Sequence, residues 1–224
     1  MDFVFIKAGG SGNIIKNDKI NIKHKWLFYR QINIDADFYN ILIDEICHLT
    51  INKKVGFMLG GVGVFLYIDF AKKLEIKSEG VHKVGSDIIN IASAILLNVF
   101  LQKKIKVYPK LVDPDSNFKK LYRCYDLVLF QANEKYYSTD SIVACAAAKF
   151  INSKLILFKT NLASRIKNYD SSPSVSSLKS IAINTQRIPG ESSLIDLQAL
   201  EIIENNNIKT IICEKELIKK TFNN

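Results

Sequence analysis

A chain of 224 residues is long for one small domain and short for two, so a single unit of α/β size over residues 1–224 is expected. Its formal charge of +9 at pH 7 favours anionic partners. The lysines are dispersed, with no basic stripe and no aromatic-basic RNA-binding motif, which places nucleic acid well below nucleotides and small oxyanions. No uninterrupted apolar stretch approaches the roughly 20 residues of a membrane helix, and "MDFVFIKAGG" lacks the pattern of a signal sequence; a cytoplasmic protein without a membrane span is expected.

In chain order, "DFVFIKA" reads as a buried strand bounded by glycine. "DADFYNILIDEICHLT" has helical apolar spacing after Asp35, an N-cap candidate. "VGFMLGG" is a second strand stopping at glycines, and "VFLYIDFAKKL" a helix. "SDIINIASAILLNVFLQKK" fits a core helix that closes with lysines, where cations suit the dipole. "IKVYPKLV" and "YDLVLFQA" read as strands, "STDSIVACAAAKFINS" as an Ala-rich helix capped by Ser138 or Thr139, and "KLILFKTN" as another buried strand. Residues 168–193, rich in Ser and containing Pro, suggest surface loops with a short strand or hairpin. "LIDLQALEIIENNN" is a final amphipathic helix and "IKTIICE" a final strand. This alternation predicts an α/β fold with a mainly parallel sheet between helices on both faces.

Four widely spaced cysteines, Cys47, Cys124, Cys145 and Cys213, form no CxxC pair or zinc-ligand spacing, so reduced, buried thiols and no metal site are expected. His24, His48 and His82 are isolated, and His48, on a predicted helix face, reads as a surface or boundary residue. "KHKWLFYR" could bind an anion or a base, though an edge segment at an oligomer interface is the preferred reading.

Two strands end in glycine turns, "KAGGSGN" and "LGGVG". In a parallel sheet, ligands gather at the carboxyl ends of the strands, where such turns expose backbone N–H groups to an anion. Neither matches the Walker pattern or the dinucleotide fingerprint, and a tight corner under a helix is the competing reading of each.

Taken in order, "IKAGGS", "LGGVG", "STDSIVACAAAKF", "KLILFKTN" and "SSLIDLQALEIIENNNIKTIIC" resemble the amino acid kinase superfamily, and within it the uridylate kinases of the short archaeal type. The resemblance implies a three-layer α/β/α sandwich with a mainly parallel central sheet. It also implies ATP-dependent phosphoryl transfer to a nucleoside monophosphate, UMP to UDP, with ATP and Mg²⁺, in a homo-oligomer (dimer or hexamer) or a hetero-oligomer with a paralogue. By the same resemblance, Lys7 neutralises charge on the phosphoryl group in flight and Asp140 organises the lysine and the metal-nucleotide. Gly9, Gly10 and Ser11 fall on the adjoining phosphate turn, Gly60 and Gly61 on the acceptor-phosphate turn, and Thr139 on the helix start. Thr160 and Asn161 open the ATP side.

The chain departs from the family pattern in its nucleotide pockets. Val62 stands where a third glycine is expected, His82 or Lys83 where an acidic residue holds the acceptor ribose, and Gln131, Ala132 and Asn133 where "GGT" is usual. Ala163 and Ser164 replace an Asp-Gly pair, and a turn that uses glycine's freedom changes its backbone when Ser takes its place. The alternative is therefore a non-catalytic member that binds nucleotide or oxyanion, as the molybdenum storage proteins do. A third reading is kinase activity on another small phosphate or carboxylate. By analogy, "YDSSPSVSSLKS" is a candidate lid over ATP.

Overall fold

The structure, a computed structural model, describes residues 2–9, 14–16, 32–34, 36–61, 64–135, 138–159, 175, 178–179 and 195–222. Its strands are β1 (Phe3–Ala8), β2 (Ile14–Lys16), β3 (Ile32–Ile34), β4 (Lys54–Leu59), β5 (Leu127–Leu129), β6 (Lys154–Lys159) and β7 (Lys209–Glu214). Six α-helices are described: α1 (Ala36–Leu49), α2 (Val64–Lys73), α3 (Ser78–Gln102), α4 (Thr139–Ala148), α5 (Leu197–Asn205) and α6 (Ile218–Phe222). Five strands form one sheet in the order β5-β4-β1-β6-β7, every neighbouring pair parallel. β2 and β3 pair separately and antiparallel.

Side-chain alternation along the strands sorts the core into two layers. Phe5, Leu155 and Leu157 pack with Ile142 and Ala146 of α4 and Leu200 of α5. Val4, Ile6, Ile156 and Phe158 face the other way, against Leu42 of α1, Phe100 of α3 and Ile218 of α6. The expected α/β/α sandwich is therefore present. The chain runs from β1 outward through β4 and β5, then returns to β6 and β7 on the other side of β1, which makes the carboxyl end of β1 the topological switch point.

Four expectations need correction. "IKVYPKLV" is not a strand: only isolated bridges join Val107 to Leu127 and Val112 to Phe130, because Pro109 between them has no N–H for a ladder. Helix α3 begins at Ser78, eight residues before the Ser-Asp start, and continues through Gly85, which faces Val64 and Ile68 of α2. Of the cysteines, all without disulfides, only Cys213 is buried, while Cys124 is exposed. The short helix α6 after the final strand was not expected.

Helix α3 also has, by length and composition, what a membrane crossing requires, although Asn90, Ser93 and Asn98 break its apolar run. One side is buried through Leu96, Leu97 and Phe100. Asn90 fixes it to the chain after β5, its Nδ2 donating to the Ala132 carbonyl at 3.0 Å and its Oδ1 accepting from the Ala132 N–H at 2.7 Å. The opposite side presents Ile91 and Ile95, one turn apart and 65% and 62% exposed. Residues 23–30, with His24, and most of 168–193 lie outside the described residues; His48 is exposed.

Candidate active site

Strand parity builds the site. Lys7 lies two residues beyond Phe5 and Lys159 two beyond Leu157, so both lysines emerge on the face covered by α4. Because Lys7 stands in register with Leu157, the two are diagonal neighbours at the carboxyl ends of adjacent strands. Helix α4 begins above them. Ser138 is its N-cap, with Oγ accepting from the N–H groups of Asp140 (3.1 Å) and Ser141 (3.2 Å). That cap directs Asp140 at both lysines.

Asp140 ion-pairs with both. Its Oδ1 lies 3.2 Å from Lys7 Nζ, a charge contact whose angle leaves Oδ1 without an aligned hydrogen bond, and Lys159 Nζ donates to Oδ2. All three side chains are buried. Burial alone would raise the Asp140 pKa, but the ammonium groups of Lys159 and Lys7 outweigh it and hold it at about 2. Burial depresses Lys159 to about 8; Asp140 opposes the shift and Lys7 reinforces it.

A second buried lysine arrangement shows what differs here. Lys54 lies at the opposite, amino end of the sheet and has a carboxylate of its own, Asp126 at 2.6 Å, plus the Tyr125 carbonyl at 3.0 Å. At the switch point two ammonium groups divide one directly bonded carboxylate, leaving positive charge beside a helix N-terminus. That is an arrangement suited to an anion.

Of the other expected site residues, Gly9, Gly60, Gly61 and Thr139 are among the described ones. A Cβ on Gly9 would come within 2.9 Å of the Phe158 carbonyl oxygen, so only glycine lets the chain leave β1 this close to β6. The Gly60 N–H donates to the Ala8 carbonyl at 2.7 Å and so extends the sheet, and a Cβ on Gly61 would meet Val64 Cγ2 at 2.7 Å. Thr139 is the first residue of α4. Lys83 pairs on the surface with Asp87 (3.2 Å) and Glu134 (3.9 Å). Gly10, Ser11, Val62, Thr160, Asn161, Ala163 and Ser164 lie outside the described residues.

Sequence reasoning missed Lys159, which it read as the end of a buried strand. The available signal was parity: a lysine on the same face as Leu155 and Leu157 can only point under the helix that covers them.

The open, parallel sheet between two helix layers is the amino acid kinase fold. Over 98% of this chain and 95% of the other, it superposes on the crystal structure of uridylate kinase from Archaeoglobus fulgidus with a TM-score of 0.71 at 19% identity. In sequence it is 30% identical over 172 residues to uridylate kinase of Staphylothermus marinus, covering 71% of this chain and 74% of that one. It is 25% identical over 195 residues to that of Thermococcus kodakarensis, covering 81% and 84%. No protein-family model matches. The chain belongs to the uridylate kinase family.

Proposed function

We propose that the protein transfers the terminal phosphoryl group of ATP to UMP, giving UDP and ADP. The observation carrying this reading is the pair of buried ammonium groups sharing Asp140. An oxygen of the acceptor phosphate bonds to the γ-phosphorus of ATP as the bond to the β-phosphate oxygen breaks, and ADP departs. Such an acceptor is already an anion at neutral pH, so the reaction needs positioning and positive charge more than a general base. Lys7 and Lys159 meet the charge on the equatorial oxygens, and Asp140, ionised throughout, keeps both aimed. By the family resemblance, Gly9, Gly10 and Ser11 form the phosphate turn beside Lys7, Gly60 and Gly61 the acceptor-phosphate turn, Thr139 the helix start beside Asp140, and Thr160 and Asn161 the opening of the ATP side.

A resident Mg²⁺ does not fit the cluster. Asp140 is occupied by two cations, and among the described residues no three His, Cys, Asp or Glu side chains converge. Mg²⁺ enters with ATP, on the phosphate oxygens, as part of the substrate.

Purified protein incubated with ATP, Mg²⁺ and UMP should form UDP, and CMP and non-nucleotide phosphates should react more slowly. Tight nucleotide or oxyanion binding without UDP formation would instead make this a non-catalytic family member.

The pH dependence follows from Lys159. With its ammonium depressed to about 8 in the free protein, kcat/KM should fall as pH rises through that value. A profile flat to pH 10 would remove Lys159 from the reaction. The stability signs can be worked out separately. Between about 8 and the ordinary 10.5 the unfolded chain binds more protons at this lysine, so its contribution to stability rises with pH across that window. Asp140's contribution is complete above 3.8 and is lost as pH falls through about 2.

The chain acts as a homo-oligomer in the cytoplasm, a reading supported by its disulfide-free cysteines and by the uncovered Ile91 and Ile95 on α3, where a second copy would bury apolar area. Sedimentation should give at least a dimer, and Ile95→Asp should shift it toward monomer; a monomeric parent chain overturns this.

A further inference from the structure

Asp196 is buried, lies outside the reacting cluster, and has no role assigned above. It is the N-cap of α5, with Oδ1 accepting from the Ala199 N–H at 2.9 Å. The same carboxylate reaches a second helix: Oδ1 also accepts from Ser141 Oγ at 2.7 Å, and Oδ2 from Ser138 Oγ. Ser138 in turn caps the amides of Asp140 and Ser141. One carboxylate thus ties the starts of α4 and α5 together through the hydroxyl group that fixes the backbone of Asp140.

An N-cap for α5 alone would need one acceptor, and any serine or asparagine would supply it. A buried carboxylate holding two hydroxyl groups of a neighbouring helix does more than end a helix. We propose that Asp196 is a positioning residue for phosphoryl transfer, locking the first turn of α4 so that Asp140 stays set between Lys7 and Lys159. This rests on the function proposed above. It adds that the geometry of the lysine pair is maintained from α5, without contact between Asp196 and the substrates.

The groups that face the Lys159 ammonium are Asp140 from α4, Lys7 from β1 and, at longer range, Asp196 itself, whose charge favours the protonated lysine. A shifted Asp140 or a lost Asp196 charge therefore moves the Lys159 titration to lower pH. Loss of the Asp196 charge does this whatever its role, so the charge-retaining Ser141→Ala, in which only a shift of Asp140 can move the Lys159 midpoint, separates positioning from capping.

The test compares the full-length protein with Asp196→Asn, Asp196→Ala and Ser141→Ala. Asparagine retains an acceptor for Ala199 and so preserves the α5 cap, which keeps the comparison open if the alanine variant does not fold. Two readouts are taken: kcat and KM for UDP formation, and the titration of Lys159 followed by NMR of labelled lysine Cε. The expected result is a kcat lowered by about 10- to 100-fold in Asp196→Ala with KM little changed, as misplaced catalytic groups produce. Asp196→Asn should be intermediate and Ser141→Ala milder, and the Lys159 midpoint should be lower in all three variants. Wild-type kcat in folded Asp196→Asn together with an unmoved Lys159 midpoint in Ser141→Ala would overturn the proposal. If the parent chain makes no UDP, the phosphotransfer reading fails, and the Lys159 titration in charge-retaining Ser141→Ala decides whether Asp196 positions the cluster.

Discussion

Lys7→Ala will lower kcat for UDP formation by about 10²- to 10³-fold while the protein remains folded. Preorganised groups aimed at developing charge in a site shielded from water contribute on this scale when one is removed. The loss appears in kcat because the ammonium group meets charge on the phosphoryl oxygens in transfer. Folding should survive, since Asp140 keeps Lys159 as its hydrogen-bonded partner and the deletion relieves repulsion between two buried cations. Lys159→Ala should fall in the same range, and the double variant should lose less than the product of the two, because the lysines act on one phosphoryl group. Steady-state kinetics with ATP and UMP checks this; a Lys7→Ala enzyme within about threefold of the parent, outside the range for a lost charge-stabilising group, would exclude its proposed role.

Asp140→Asn should be the most destabilising change at the site. The side chain keeps its volume but loses its charge, leaving two buried ammonium groups facing each other without a counter-ion. Removing one partner of a buried ion pair costs about 3–5 kcal/mol. Here the protein has a partial escape, since Lys159 already titrates at about 8 and without Asp140 would release its proton more readily. The deficit measured by urea unfolding should therefore be larger at pH 6 than at pH 9. A loss below about 1 kcal/mol at pH 6, the scale of an exposed ion pair, would mean that the three groups do not share a buried cluster.

Much of this fold was legible because its signals are local. The strands at Phe3–Ala8, Lys54–Leu59, Lys154–Lys159 and Lys209–Glu214 are short, apolar and bounded by glycines or polar residues, and the helix after Ser138 carries its cap in sequence. The exceptions have identifiable causes. Val107 and Val112 have strand-forming side chains, but the proline between them withholds a ladder donor. Glu134 could not be assigned to Lys83 from spacing, since it comes from a segment 51 residues away.

The site was half legible. Motif order led to Lys7 and Asp140, and the structure places the two 3.2 Å apart. Lys159 remained hidden because it ends an apolar strand, where lysine usually lies at the solvent boundary. Its burial follows from the sheet order, which puts β6 beside β1 under the same helix. Asp196 was visible as part of "SSLIDLQAL", but its bonds to Ser138 and Ser141 span more than 50 residues and exist only once α4 and α5 pack together.

The most direct measurement is a crystal structure with UMP and a non-hydrolysable ATP analogue bound together. The terminal phosphoryl group should lie at the carboxyl ends of β1 and β6, with oxygens within hydrogen-bonding distance of Lys7 Nζ and Lys159 Nζ and Asp140 still bridging the two lysines. A terminal phosphoryl group seated elsewhere, or either lysine turned away from Asp140 and from the phosphate, would contradict the proposed chemistry.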